Sequence, residues 1–219
     1  MEHKVCTIVG MGQGVSMAVA KRFGKEGFAI AMISRRQSAL DRYADQLRSV
    51  GIAALGFAAD IADPAELKIA LDSIHKTLGE TEVLVYNAAV MRQAVPSELS
   101  PAQLNEDVRV NITGALIAAQ HVLPAMKKHK RGTILFTGGG LALEPYPMYT
   151  SLAIGKAGIR SLAYSLYGEL QTQGIHVATV TICGFVQPST KFDPDRIAEE
   201  YWRLHTQPKG KWEREVVYK

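Results

Sequence analysis

Short runs of β-branched and apolar residues alternate along the chain with longer stretches whose apolar positions recur every three or four residues. The runs predict strands at Val5 to Val9, Phe28 to Ile33, Ala53 to Ala58, Val83 to Tyr86, Thr133 to Thr137 and His176 to Ile182, and Val216 to Tyr218 adds a short seventh. Between them the pattern predicts helices from Val15 to near Gly27, Ser38 to Val50, Pro64 to near Gly79, Pro101 to about Met126, Ser151 to Gln173 and Asp193 to His205. Asp63-Pro64, Ser100-Pro101 and Asp193-Pro194 each place an N-cap before a proline at the first helical position, and Ser38 with Asp41 marks another start. The stretch from Pro101 is expected to break around Asn111 to Gly114. Such alternation implies a single α/β domain over 1–219, a doubly wound parallel sheet of six to seven strands with helices on both faces.

Ligands of such sheets sit beyond the carboxyl ends of the strands, at the point where strand order reverses. Here those ends are Gly10 to Gly14, Ser34 to Arg36, Asp60, Asn87 to Ala89, Gly138 to Gly140 and Gly184 to Val186. The first is the most distinctive. Gly10, Gly12 and Gly14 admit backbone angles and approaches that a Cβ blocks, and a helix opens at Val15. Such a turn aims free N–H groups and a helix dipole at one point, a site for a pyrophosphate, and the small Ser16 offers a hydroxyl to a phosphate oxygen. A tight turn with no ligand is the competing reading.

Composition narrows the classes. With 219 residues, 47% hydrophobic and 21% charged, the chain has the makeup of one soluble globular domain. No apolar run approaches the about 20 residues of a membrane span, and the expected location is cytoplasmic, without a membrane partner. The cysteines, Cys6 and Cys183, are expected as reduced thiols, about 14 Å apart across three strand spacings. The net charge of +4 concentrates in Lys127 to Arg131, which suits a helix C-terminus better than nucleic acid. The six histidines show no metal spacing, so no metal is expected.

Taken together, the strand ends resemble the short-chain dehydrogenase/reductase family over nearly the whole chain, with a Rossmann-like fold. Gly10, Gly14 and Ser16 are similar to its TGxxxGxG turn, with Val9 for the Thr and Ser16 for the last Gly. Asp60-Ile61 resembles the pair that contacts adenine, and Tyr86-Asn87-Ala88-Ala89 its NNAG segment. Val110 to Gly114 resembles the segment holding the catalytic Asn, here Asn111, and Cys183-Gly184-Phe185-Val186 the loop beside the nicotinamide. Lys156 matches the lysine of the active-site helix. The resemblance implies a dinucleotide held by Gly10, Gly12, Gly14, Val15, Ser34, Arg35, Asp60, Ile61, Asn87, Ala88, Lys156, Gly184 and Val186. Where NAD-binding members carry an acid, this chain has Ser34 followed by Arg35; a guanidinium forks onto a 2′-phosphate, so NADP is favoured over NAD.

The resemblance fails at two positions. The family's YxxxK tyrosine would fall at Leu152 and its serine at Gly139. Leucine has no proton to give and glycine no hydroxyl to donate. Asn111 and Lys156 therefore remain as catalytic candidates, with Tyr149 as a substitute acid; Glu144, Tyr146 and Thr137 are further nearby groups. Two functions stay open: an NADP-dependent oxidoreductase on a small carbonyl or alcohol with an altered proton donor, or a non-catalytic nucleotide-binding sensor or scaffold. A nucleic-acid binder using Lys127 to Arg131 ranks well below both. The small residues of Ser151 to Gln173 resemble the helices this family uses to assemble, so a homo-oligomer, a dimer or tetramer, is expected.

Overall fold

The structure is a computed structural model and describes residues 4–219. Its strands are β1 (Val5–Val9), β2 (Ala29–Ser34), β3 (Ala54–Ala58), β4 (Thr81–Tyr86), β5 (Gly132–Gly139), β6 (Ile175–Ile182) and β7 (Glu215–Tyr218). They form one parallel sheet in the order β3-β2-β1-β4-β5-β6-β7, so the direction of winding reverses between β1 and β4. Both faces are covered by α1 (Val15–Gly24), α2 (Gln37–Arg48), α3 (Pro64–Leu78), α4 (Pro101–Val108), α5 (Gly114–His129), α6 (Thr150–Leu170) and α7 (Pro194–His205).

The two covered faces explain why the strands read as continuous apolar runs. On one side Phe23, Leu40, Leu47, Ile197 and Tyr201 pack against Ile8, Ile30, Met32 and Val85. On the other, Leu67, Leu71, Val122, Ile159 and Leu166 pack against Leu84, Phe136 and Val177. Cys6 and Cys183 are free, with β4 and β5 lying between their strands. No helix among the described residues is long and apolar enough to cross a membrane.

Three of the four expected helix starts form as written. Asp63 Oδ1 accepts from the N–H groups of Ala65 and Glu66 at 2.7 and 3.2 Å, Ser100 and Gln103 close a reciprocal capping box, and Asp193 accepts from Asp195 N–H at 2.9 Å. The fourth does not. α2 begins at Gln37 with no side-chain cap, and Ser38 lies inside it. Gln37 explains the difference: its side chain donates to Asp41 at 2.8 Å and accepts from Ala58 N–H at 3.2 Å, tying the helix start to β3. α1 stops at Gly24, short of Gly27, because Gly27 turns at φ +85° and lets Phe28 N–H reach back to Phe23 O.

A buried histidine makes stability depend on pH. His205 packs among Phe23, Phe28 and Trp202 with Nδ1 2.9 Å from Thr133 Oγ1. Burial, reinforced by the charges of Lys4, His176 and Arg131, lowers its pKa to about 4 from an ordinary 6.5. A lowered histidine contributes stability that is fully present above the unfolded value and lost as pH falls from 6.5 toward 4. Calorimetry across that window should show a loss on the order of 2–3 kcal/mol from this group, roughly 5–10 °C in Tm for a chain of this size. His205→Gln should flatten that part of the slope.

Candidate functional site

The β1–α1 turn sits at the reversal of the sheet. Gly10 and Met11 donate to Ile33 O at 2.9 and 3.0 Å, and the first intrahelical bond is Ala18 N–H to Gly14 O. The N–H groups of Val15, Ser16 and Met17 are thereby left for an outside acceptor. A Cβ on Gly12 or Gly14 would project into open space, the surface a closely held phosphate needs. Ser16 behaves differently from expectation. Its hydroxyl accepts from Gly12 N–H at 2.8 Å and donates to Gly12 O at 3.1 Å, so it braces the turn instead of facing a phosphate.

Gly10 fits against the end of β4. Its φ is +89°, and a Cβ there would lie 2.4 Å from Ala88 N. Asn87 locks the junction, with Nδ2 donating to Gly10 O at 3.1 Å and N–H to Val9 O at 2.8 Å. Beyond β2, Arg35 is exposed and forms no ion pair among the described residues, and Ser34 beside it is half-buried. Asp60 is exposed; one oxygen accepts from Ala62 N–H at 2.9 Å. The side chain of Ile61 turns into the core, leaving its backbone at the crevice.

The expected helix break is a turn of π-helix, Arg109–Thr113, between α4 and α5. The wider turn releases the Val110 carbonyl, which the buried Tyr86 hydroxyl takes up; Gly114 leaves room for that hydroxyl. Asn111 points inward. Its Oδ1 accepts from Val90 N–H at 2.7 Å, its buried Nδ2 has no partner among the described residues, and Gly155 on α6 lets it pack closely.

Lys156 lies on the same helix one residue further. Its stem runs along the bare end of β5: a Cβ on Gly139 would meet its Cγ, Cδ and Cε at 3.3, 3.4 and 3.4 Å. The amine donates to Thr137 O at 2.6 Å, and burial lowers its pKa to about 8. Leu152, one turn earlier, is buried. Neither position carries a hydroxyl.

The other candidate groups are engaged or remote. Tyr149 precedes α6 and its hydroxyl accepts from Gln93 Nε2 at 3.0 Å, while Ala94 N–H donates to Met148 O. Glu144 and Tyr146 are exposed on the loop before it. Thr137, a nearby candidate in sequence, turns away: its hydroxyl pairs with Tyr201 at 2.7 Å on the α7 side, the face opposite α6. After β6, Gly184 packs under the Phe192 ring, and Phe185 and Val186 stand exposed at the mouth. Trp202 and Trp212 pack as anchors, against Phe23 and His176 respectively.

Two supporting pairs escape sequence reasoning. Tyr86 reads simply as a strand residue. Arg92 forks onto Asp107 at 2.9 and 3.1 Å, holding the loop after β4 on α4, and nothing in their spacing marks the pair. Most of the basic stretch pairs locally: Lys127 meets Glu169, Lys128 and His129 meet Glu80, and Arg131 meets Glu82.

A reversal-point turn, a π turn and a helix lysine thus meet at one end of the parallel sheet. A family model described as short chain dehydrogenase matches residues 4–198. The chain belongs to the short-chain dehydrogenase family. It is 28% identical over 192 residues to 2-(S)-hydroxypropyl-CoM dehydrogenase 3 of Xanthobacter autotrophicus, covering 85% of this chain and 75% of that protein. A metagenomic short-chain oxidoreductase crystallised in complex with NADP superposes with a TM-score of 0.89 at 23% identity, covering 98% of this chain and 96% of that one. An alcohol dehydrogenase from the archaeon Thermococcus sibiricus, complexed with 5-hydroxy-NADP, gives 0.87 at 21% identity, covering 100% and 98%.

Proposed function

We propose that this chain is an NADP-dependent oxidoreductase acting on a small carbonyl or alcohol, with an altered proton donor. The observation that carries the reading is the turn at Gly10 to Val15, with open space over Gly12 and Gly14 and unclaimed N–H groups, beside an Arg35 that no carboxylate opposes. Solved structures of similar fold contain NADP, which supports the same cofactor here. The phosphates would lie on the turn, the 2′-phosphate against Ser34 and Arg35, and the adenine near Asp60 and Ile61. Asn87, Ala88, Gly184 and Val186 would border the remainder, with Lys156 at the ribose. Bound there, NADPH supplies the hydride; the chain's part is to hold the carbonyl carbon against it and to protonate the oxygen.

The test is consumption of NADPH, followed by absorbance, across a panel of small ketones and aldehydes. Arg35→Ala should weaken NADPH binding by about 10- to 100-fold, the scale of a lost charge-assisted pair, and leave NADH binding little changed. A second reading, nucleotide binding without turnover, draws on Leu152 and Gly139. Binding of NADPH with no consumption on any carbonyl would favour it. Assembly as a dimer or tetramer goes with either reading, supported by exposed Leu116 on α5 and Ile154 on α6. Sedimentation at micromolar concentration would contradict assembly by finding a monomer.

A further inference from the structure

We infer that Lys156 itself is the acid that protonates the substrate oxygen, from the space left by the missing serine and tyrosine. The inference rests on the reductase reading above and concerns only its proton donor.

Three observations converge on this amine. Gly139 leaves the end of β5 bare, and the Lys156 stem lies against it at 3.3–3.4 Å from where a Cβ would stand. A serine Cβ at that position would press the flexible lysine stem back by a few tenths of an ångström. Leu152, one turn back on the same face of α6, supplies packing and no proton. The ammonium spends a single N–H, on Thr137 O at 2.6 Å, and among the described residues it forms no ion pair with a carboxylate. Its other N–H bonds have no protein acceptor among the described residues.

The other acids at these strand ends are less suited. The Thr137 hydroxyl is on the opposite face with Tyr201, the Tyr149 hydroxyl is held by Gln93, and Glu144 stands in solvent. The Cys183 thiol lies 3.7 Å from Thr181 O. Burial, which lowers the amine to about 8, brings its two protonation states within reach of each other near neutral pH. An ordinary surface lysine would hold its proton too tightly for this.

The step balances simply. As hydride from NADPH reaches the carbonyl carbon, one Nζ–H bond of Lys156 breaks and its proton joins the carbonyl oxygen. The products are the alcohol, oxidised cofactor and a neutral amine, which solvent reprotonates. Alcohol oxidation runs the same transfer backwards, from the neutral amine.

The decisive variant is Lys156→Arg, which keeps the charge but cannot release a proton near neutral pH. Two readouts are needed. Reductive methylation with labelled formaldehyde, followed by carbon NMR titration, should reveal one lysine signal with a midpoint near 8 that is missing from Lys156→Arg. In turnover, wild-type kcat/KM for reduction should fall above the same midpoint, and Lys156→Arg should lose about 10²–10³-fold in kcat at saturating NADPH, whatever affinity the ribose contact costs. A Lys156 signal titrating above about 10, or Lys156→Arg turning over within about threefold of wild type, would overturn the inference. So would loss of the pH limb in Tyr149→Phe with the amine titration unchanged. If the wild type consumes no NADPH with any carbonyl, the reductase reading falls and this inference with it; an active wild type with an equally active Lys156→Arg sinks this inference alone.

Discussion

A chain carrying Gly139→Ser and Leu152→Tyr together is expected to reduce carbonyls about 10-fold faster than the natural chain, because the phenol takes over from an acid that Lys156 already supplies. The two changes act as a unit. A tyrosine at 152 falls one helical turn before Lys156, on the face that meets the end of β5. A serine at 139 would bring its Cβ to 3.3–3.4 Å from Lys156 Cγ, Cδ and Cε, a contact the flexible stem relieves by a few tenths of an ångström. The Lys156 amine, one turn on along the same helix, would then act on the new phenol. Initial rates of NADPH consumption measure the gain, and the alkaline limb of the pH profile should move away from the value set by Lys156. Unchanged rates with retained NADPH binding would mean that the site lacks more than these two groups.

The second large effect concerns the turn. Gly10→Val should abolish NADPH binding and lower Tm by about 10 °C or more, combining left-handed strain of ~1–2 kcal/mol with overpacking of ~1–3 kcal/mol. At φ +89° any Cβ is strained, and this one would sit 2.4 Å from Ala88 N and 2.5 Å from Ala88 Cα, both backbone atoms held by Asn87. Gly12→Ala provides the contrast. Nothing lies within 4 Å of its Cβ position, so Tm should hold while nucleotide affinity falls. Thermal melts with and without NADPH separate the two outcomes; a Gly10→Val chain that melts and binds like wild type would refute the role assigned to the turn.

Much of the architecture is legible from local signals. Prolines after N-caps locate α3, α4 and α7, and apolar runs locate each strand, because these signals act within a few residues. Even the break in the long helix is visible near Asn111, although its π geometry depends on a partner, Tyr86, that only the sheet brings into place. Side-chain allegiance is harder to read. Ser16 has the size and position to face a phosphate, yet it closes on Gly12; Thr137 has the alternation expected of its strand, yet pairs with Tyr201 from the α7 layer. Which partner a hydroxyl finds is decided by helices packed from elsewhere in the chain. The Arg92–Asp107 pair, joining a loop to a buried helix position, has no periodic signature at all.

The claim beneath these expectations is that the crevice holds a phosphorylated dinucleotide although its usual acid is gone. Melting the wild-type chain with saturating NADPH or NADH tests it most directly. At about 100 times Kd, NADPH should add about 2.7 kcal/mol, roughly 5–10 °C in Tm, and NADH at the same concentration distinctly less. Equal melting temperatures with NADPH, with NADH and with neither would contradict it.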